Sequence, residues 1–254
     1  RFKIDPDGLT LNKQPWFIPL SNEIIYSADY VNVQDFKLNH AAQQITLESK
    51  ESLDGEVALG FSFEHFNLVT VMNLLNPNES MVKGILNGQL EVDHVFTHPG
   101  MQADLTIEQF EAIELPLGTL SIKTLADQDH SYTLDLSLKE GYVDLDMGGV
   151  YTAMRDDGML DFTIDFNQIQ MEALEVLAEE SISNADGYIS GNAHISGMVS
   201  QPIYEGEFEF HQIGFTPNSL STEFKLEDER VRFDNDGFYL NAVEITDAQG
   251  NTFT

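Results

Sequence analysis

The segment GYISGNAHISG, residues 187–197, decides the fold class of this chain. Apolar residues alternate along it with small or polar residues, which is the side-chain period of a β-strand with one buried face. Its glycines stand at Gly187, Gly191 and Gly197. A glycine inside a strand marks a bend, a bulge or the close approach of a neighbouring chain. We therefore expect these glycines to let a wide β-sheet curl.

The same alternation covers most of the chain. It is clear in ADLTIEQF from Ala103, in YTLDLSLKEG from Tyr132 and in MLDFTIDF from Met159. Turn-forming residues, such as those at 156–158 and 234–237, separate alternating runs that recur about every 8–12 residues. The sequence therefore predicts an all-β fold with a long, curled antiparallel or mixed sheet.

Two segments break this rhythm with helical spacing. Residues 67–76 are NLVTVMNLLN, and residues 168–182 are QIQMEALEVLAEESI. In the second segment, the residues expected to share one helical face are Ile169, Leu174, Leu177 and Ala178. We expect two short helices, each following an alternating strand.

A gapless comparison of the chain with itself indicates an internal repeat. Gly84 aligns with Gly187 at an offset of 103 residues (187 less 84), which also aligns His94 with Gly197. Because His94 replaces a glycine, we expect the first copy to bend less. We predict one continuous repeat-built β domain over residues 1–254, with repeat units 54–156 and 157–254, cut from a longer chain. The residues expected to bend or turn the chain are Gly84, Gly88, Pro99, Gly187, Gly191, Gly197, Pro202 and Gly206.

Charge and composition exclude several classes of function. The chain has 43 acidic and 12 basic residues and a formal net charge of −31, so it would repel nucleic-acid phosphates and anionic lipid surfaces. It has no cysteine, which excludes disulfides and thiolate chemistry. No run approaches the ~20 apolar residues of a membrane-spanning helix. We expect no nucleic-acid partner.

The sequence contains no strong catalytic or metal-binding motif. His94 and His98 are four residues apart, but on a strand this spacing separates them by about 13 Å, too far for one metal ion. Residues 234–237 resemble the start of a calcium loop without its distal glutamate, and a plain turn is the simpler interpretation. We expect no enzyme activity, no cofactor and no bound metal.

The alternating apolar residues are the informative feature. Two arrangements remain open for them: a closed sandwich of two sheets, or a single curled sheet whose concave face stays open as an apolar groove. The candidate groove residues are Leu134, Leu136, Leu138, Val143, Leu145, Met147, Leu160, Phe162, Ile164, Phe208, Phe210, Phe224 and Leu226.

A family resemblance favours the groove. The run from Gly187 to Gly197, followed by Pro202 and then by GEFEF from Gly206, is similar to the C-terminal region of the TamB family. This family belongs to the AsmA-like superfamily of bacterial envelope proteins, in which a glycine-rich strand precedes a proline turn and an alternating strand. Residues 16–18 and the short strands after them resemble another recurring element of the family.

The resemblance implies a fold and a function. The fold would be a long U-shaped sheet, a β-taco, in a periplasmic protein anchored in the inner membrane of a diderm bacterium. Its apolar groove would bind phospholipid acyl chains and carry them toward the outer membrane, in support of outer-membrane biogenesis and protein assembly. The implied partners are phospholipids, an outer-membrane barrel of the Omp85 type and outer-membrane protein clients.

Two other functions remain open. Exposed sheet edges would allow client outer-membrane proteins to add strands by β-augmentation, which would make the chain a chaperone-like scaffold. A closed β-sandwich would instead make it an interaction domain.

Overall fold

The structure is a computed structural model that describes residues 1–6, 9–51, 57–70, 72, 82–96, 100–126, 130–178, 181–240 and 243–253. Most of these residues lie in β-strands, so the predicted all-β class is confirmed. Long strands form because each buries one apolar side while its polar side stays in water.

Twenty strands and one helix have defined bounds in the described residues. The first ten strands are β1 (Thr10–Leu11), β2 (Gln14–Pro15), β3 (Glu23–Tyr26), β4 (Val31–Gln34), β5 (Phe36–His40), β6 (Gln43–Glu51), β7 (Val57–Asn67), β8 (Val82–Asp93), β9 (Gly100–Ala112) and β10 (Leu115–Ala126). Then follow β11 (Ser131–Lys139), β12 (Val143–Ala153), β13 (Gly158–Gln170), α1 (Met171–Leu177), β14 (Ile182–Met198), β15 (Gln201–Pro217), β16 (Phe224–Leu226), β17 (Arg230–Asp234), β18 (Gly237–Leu240), β19 (Ile245–Asp247) and β20 (Thr252–Phe253).

Within the described residues, β5 to β20 form one antiparallel sheet of 16 strands that is not closed into a barrel. The spatial order follows the chain from β5 to β16 and continues through β19 to β20, while β17 and β18 add to β15 beside β16. Two small sheets, β1–β2 and β3–β4, precede it in the chain. Consecutive strands joined by short turns give the meander that the regular spacing of turn residues predicts.

The chain divides into two compact units. Unit 1 consists of Arg1–Ile113 and Thr119–Leu134, and unit 2 of Glu114–Gly118 and Asp135–Thr254. The division falls within β10 and β11, so these units do not coincide with the repeat units 54–156 and 157–254.

The buried core of unit 1 lies where β7 ends and β8 begins. Trp16, Phe66 and Leu86 form its centre. The Trp16 ring lies 6.2 Å from the Phe66 ring in an edge-on contact and 5.5 Å from the His40 ring. Trp16 directly follows β2, so burial of this ring fastens the N-terminal segment to unit 1.

The buried core of unit 2 lies under α1. It consists of Met171, Ala185, Ile189, Ile213 and Leu226. Met171 belongs to α1 and the others to β14, β15 and β16, so the helix packs on one face of the sheet. The helix has 7 residues and its N-cap Gln170 makes no side-chain cap bond, so packing rather than intrinsic propensity stabilises it.

The two cores occupy equivalent positions in the repeat. At the offset of 103 residues, Leu86 corresponds to Ile189 and Phe66 to Ile169, and each residue belongs to or packs against its own core. The strand register also breaks just before Phe66 and just before Ile169. The repeat therefore reproduces a backbone irregularity as well as a pattern of side chains.

The bend positions match as well, and this corrects one expectation. Gln109 and its equivalent Gln212 have left-handed backbone, with φ of +51° and +50°. His94 has φ of +49°, in the same left-handed region as its equivalent Gly197 at +88°. The expectation that the first copy bends less because His94 replaces a glycine is therefore wrong at this position. The protein holds a non-glycine residue there at a cost of roughly 1 kcal/mol.

The second predicted helix is shorter than the sequence pattern indicates. Residues 168–170 continue β13 and Ile182 begins β14, so α1 occupies only Met171–Leu177. The predicted apolar face of this helix is also wrong in part, because Leu177 is 48% exposed whereas Ala173 is buried. Strand pairing outweighs the helical pattern at both ends, because residues 168–170 pair with β12 and β14 and Ile182 pairs with Pro217 of β15.

The first predicted helix is described only at its start. Asn67 ends β7, and its Oδ1 accepts a hydrogen bond from the Val69 amide at 2.9 Å. The Met72 amide donates to the Leu68 carbonyl oxygen at 3.0 Å, which makes one helical turn. Residue 71 and residues 73–76 lie outside the described residues.

Pro202 does not form the turn predicted for it. It is the second residue of β15, opposite Gly197, and the turn lies at residues 199–200. Strand β17 pairs with β15 only from Glu205 onward, so Pro202 lies where its missing amide hydrogen interrupts no ladder with β17. Pro99, its counterpart in the repeat, lies outside the described residues.

Candidate functional site

Strand register divides the sheet of unit 2 into two chemically different faces. On β12 and β13, Met147 is opposite Ile164, and the preceding Asp146 is opposite Asp165. Directly opposed residues in an antiparallel pair point to the same side, and successive residues point to opposite sides. Apolar and acidic side chains therefore occupy separate faces of the sheet along this part of β12 and β13.

We name these two sides the apolar face and the acidic face of unit 2. The apolar face carries Val143, Leu145, Met147 and Tyr151 of β12, Leu160, Phe162, Ile164, Phe166 and Ile169 of β13, Ile189, Ala193 and Ile195 of β14, Tyr204, Phe208, Phe210 and Ile213 of β15, Phe224 and Leu226 of β16, and Val231 and Phe233 of β17. The acidic face carries Asp144, Asp146, Asp161, Asp165, Glu205, Glu207 and Glu209.

Leu136 and Leu138 of β11 also point to the apolar face. Lys139 lies on the acidic face, because its Nζ donates a hydrogen bond to Asp144 Oδ1 at 2.5 Å. Its strand neighbour Leu138 therefore points the other way, as does Leu136 two residues earlier. Leu134 has the same parity on β11 but belongs to unit 1.

The predicted groove residues of unit 2 share the apolar face but not one environment. Leu226 is part of the buried core under α1, and Phe208 and Phe210 pack against that core. We call this the covered part of the face. The open part consists of partly exposed residues outside that core, namely Leu145, Met147, Leu160, Phe162 and Ile164.

Aromatic rings in this face lie over glycines of neighbouring strands. Phe162 is opposite Gly149, and a Cβ added to Gly149 would lie 2.6 Å from Phe162 Cδ1. A Cβ added to Gly206 would likewise lie 2.7 Å from Phe233 Cζ. These rings therefore lie close to the backbone instead of projecting from the sheet, which makes the apolar face flat at these positions.

A row of aromatic rings crosses several strands of the face. Phe166 and Phe208 are both opposite Gly191, one from each side, and their ring centroids are 5.6 Å apart. The Phe208 ring stacks on Phe233 at 5.0 Å, and Phe233 lies 5.9 Å from Phe238. Because Gly191 has no side chain, rings of β13 and β15 meet above the strand between them.

A lysine-centred network orders part of the acidic face. Lys139 Nζ bonds both Asp144 and Asp146, and Asn167 Nδ2 donates to the same two carboxylates at 2.8 Å each. The hydrogen bonds that Lys139 donates lower the pKa of Asp144 and of Asp146, and the same bonds to the carboxylates raise the pKa of Lys139. All three groups are therefore charged at neutral pH, as expected of a structural network rather than of an acid–base pair.

Shallow depressions of unit 2 also lie on the acidic face. One of about 400 Å³ is lined by Asp146, Asp165, Asn192 and Glu207, among others. In the part of the chain that the structure describes, no group of three or more His, Asp or Glu residues is placed to hold a metal ion. Residues 235–236, from the calcium-loop resemblance, form the turn of the β17–β18 hairpin, and His98 lies outside the described residues.

Unit 1 carries its own apolar face, which the sequence candidates did not include. Phe61 of β7 is opposite Leu47 of β6 on one side and opposite Leu90 of β8 on the other. At the repeat offset Phe61 is the equivalent of Ile164, a predicted groove residue. Subtracting 103 from the numbers of the predicted groove residues would have identified this face from the sequence.

No protein-family model, curated protein or solved structure matches this chain. Among the described residues, no helix is both long and apolar enough to cross a membrane. The resemblance to the TamB family rests on the sequence pattern alone, and what it implies about function enters below as a proposal.

Proposed function

We propose that the apolar face of unit 2 binds the acyl chains of phospholipids, and that the chain is the periplasmic part of a TamB-like lipid transporter. The observation that carries this proposal is the open part of the face, where Leu160, Phe162 and Ile164 are partly exposed. A partly exposed apolar surface of this kind indicates a binding surface more than a packed core. The proposed role involves no chemical step and therefore no enzyme activity.

The chemistry of the face suits a hydrocarbon chain. A chain gains about 0.8 kcal/mol for each methylene group removed from water and needs no directional partner. Leucine, methionine, isoleucine and phenylalanine side chains on adjacent strands supply this contact. The rings that lie over Gly149 and Gly206 keep the surface flat at these two positions, which suits contact with an extended ligand.

The acidic face is suited to contact with water, and the apolar face to contact with lipid. A net charge of −31 keeps the exterior hydrated and repels anionic surfaces. Binding of lipid would then occur on the apolar face through acyl chains and not through attraction of an anionic headgroup to the acidic face.

The cellular context comes from the family resemblance. A TamB-like protein would be anchored in the inner membrane of a diderm bacterium, would carry phospholipid through the periplasm, and would partner an outer-membrane barrel of the Omp85 type and its outer-membrane protein clients. The residues that support this context are the glycine-punctuated segment 187–197 and the strand that begins beside Pro202.

A charge placed on the open part tests the proposal. Phe162→Asp puts a carboxylate on the apolar face, and the matched control Thr163→Asp puts one on the next residue, which is exposed on the acidic face. We expect Phe162→Asp, and likewise Leu136→Asp, to abolish co-purification of phospholipid in native mass spectrometry. Both should retain the far-ultraviolet circular dichroism of Thr163→Asp. Unfolding of Phe162→Asp with Thr163→Asp intact would place Phe162 in a closed core and refute the proposal.

One feature favours the scaffold as a second function. Among the described residues β18 pairs only with β17, and its Phe238 and Leu240 are 71% and 64% exposed. An exposed apolar edge strand is a template for adding another strand. Leu240→Pro should therefore weaken binding of an unfolded outer-membrane protein segment, whereas Phe162→Asp, on a strand that is paired along both sides, should leave that binding unchanged.

A further inference from the structure

Five exposed apolar side chains gather where the hairpins of unit 2 turn. Met154, Met159, Met198, Val199 and Ile203 are 42%, 44%, 48%, 49% and 56% exposed. We call these residues the methionine patch. Single exposed apolar residues are ordinary, but a contiguous group of them marks a surface that another molecule covers.

Backbone pairing places Met159, Met198 and Ile203 of the methionine patch next to one another. Met159 of β13 is directly opposite Met198 of β14. Ile203 of β15 lies diagonally across from Met198 on the same side of the sheet. The Val199 amide donates to the carbonyl oxygen of Gly158, the residue before Met159, at 2.9 Å. This side is the one that carries the acidic face, opposite to the open part.

The two turns that carry the patch are fastened to each other. Ser200 Oγ donates to Asp157 Oδ2 at 2.6 Å, and the Gly158 amide donates to Asp157 Oδ1 at 2.8 Å. The Met154 amide donates to the Asp157 carbonyl oxygen at 2.9 Å. A partner would therefore meet a fixed backbone and lose little entropy in ordering it. The methionine side chains stay adaptable, which suits an irregular apolar surface on a partner.

The repeat places apolar residues at the same turn of unit 1. Met198 and Val199 correspond at the offset of 103 residues to Val95 and Phe96, and Phe96 is 39% exposed. An exposed apolar side chain at this turn in both copies indicates a shared surface role rather than a local accident of unit 2.

Charge decides which partner fits the patch. Three exposed carboxylates, Asp156, Asp161 and Glu205, lie beside it against one exposed cation, Arg155, and the acidic face continues beyond them. Anionic lipid would be repelled, whereas basic groups flanking an apolar stripe would be attracted. We propose that the methionine patch is a docking surface for an amphipathic helix whose apolar stripe is flanked by lysine or arginine. This site is on the side opposite the acyl-chain face, so it does not rest on the lipid proposal.

Titration of the chain with a synthetic peptide tests the docking surface. The probe is a labelled helix of about 18 residues, with leucine along one stripe and lysine on its flanks. We expect saturable binding by fluorescence anisotropy, with affinity reduced about tenfold or more in the double variant Met159→Gln and Met198→Gln. The matched control, Val176→Gln with Leu177→Gln, removes two residues of α1 that are 47% and 48% exposed and should bind as the unchanged chain does.

Several results would overturn this assignment. Failure of the peptide to saturate would do so, as would equal loss of affinity in both double variants. Equal affinity for a peptide with serine in place of leucine would show that charge alone attracts it. Patch-dependent binding to phosphatidylcholine vesicles without peptide binding would assign the surface to a bilayer instead. Self-association that the methionine variant abolishes, without peptide binding, would assign it to a second copy of the chain.

Discussion

The ring of Phe162 lies over Gly149 of the neighbouring strand. A Cβ atom at Gly149 would come within 2.6 Å of the ring and 2.2 Å of the Asp161 carbonyl oxygen. The second contact is with backbone, so it cannot be relieved by a side-chain rotation. At the adjacent Gly148 a Cβ would meet Asp135 Oδ1 at 3.3 Å, and that contact is with a side-chain atom that can move. Position 149 therefore requires a glycine, whereas position 148 can accept a small side chain.

Replacing these two glycines tests the packing of the ring on the sheet. Gly149→Ala should lower the free energy of unfolding by about 1–3 kcal/mol, because the strand pair must separate to admit the methyl group. Gly148→Ala should change it by less than about 0.5 kcal/mol. Urea unfolding followed by circular dichroism measures both, and equal effects at the two positions would contradict the close approach of β13, with its Asp161 carbonyl and Phe162 ring, to Gly149.

The glycines of β14 should differ in the same way. A Cβ at Gly191 would lie 2.2 Å from the Glu207 carbonyl oxygen, whereas the nearest contact at Gly197 is 3.4 Å. Gly197→Ala should therefore cost only the left-handed backbone, about 1–2 kcal/mol, as the protein already accepts at His94. Gly191→Ala should cost more in the same urea titration, and the reverse ranking would contradict the close approach of β15 to Gly191.

Helix α1 should depend on Met171 for its attachment to the sheet. Met171→Ala removes a side chain that is 6% exposed in the core of unit 2, so we expect a loss of about 2–4 kcal/mol. Val176→Ala changes a residue of the same helix that is 47% exposed and should cost less than about 0.5 kcal/mol. Hydrogen exchange should show faster exchange of α1 amides in the first variant and not in the second.

The Lys139 network should contribute stability in a defined pH range. The pKa values of Asp144 and Asp146 are lowered, so their contribution is present above the unfolded pKa near 3.8 and is lost as pH falls through the folded values. The pKa of Lys139 is raised, so its contribution is lost as pH rises past its folded value, above 10.5. Lys139→Gln should therefore cost stability at pH 7, by about 0.5 kcal/mol for groups this exposed, and this cost should shrink as pH falls below 3.8.

A second lysine provides the comparison for this pH profile. Lys123 Nζ lies 3.8 Å from Asp104 Oδ2, and the lysine side chain is 65% exposed. Lys123→Gln should leave thermal stability unchanged across the same pH series. A cost of Lys139→Gln that persists unchanged at pH 2 would show that its origin is not the ion pairs.

The class of the fold and the chemistry of its faces could be predicted from alternation alone. Phe162 and Ile164 were predicted to share a face, and the register with β12 and β14 places them so. Alternation is sufficient here because the side-chain period of a strand is two, whatever lies next to it. The repeat offset also aligns the two register breaks, before Phe66 and before Ile169, although no residue pattern predicted the breaks themselves.

Local pattern failed where tertiary pairing decided the outcome. The periodicity at 168–182 favours a helix, but pairing keeps residues 168–170 and Ile182 in strands, and α1 occupies only Met171–Leu177. His94 has a left-handed backbone conformation, which a histidine in the sequence does not predict. The division of the apolar face into a covered and an open part depends on where α1 lies, and no residue of the alternating strands carries that information.

The most direct test of lipid binding compares two adjacent positions on β13. A photoreactive phenylalanine analogue is placed at Phe162 in one variant and at Thr163 in another, and the chain is produced in a diderm bacterium, irradiated and analysed by mass spectrometry. We expect phospholipid crosslinked through its acyl chains at Phe162 and none at Thr163, since the two side chains point to opposite faces. Absence of crosslinked lipid in the Phe162 variant, or equal crosslinking in both variants, would contradict lipid binding on the apolar face.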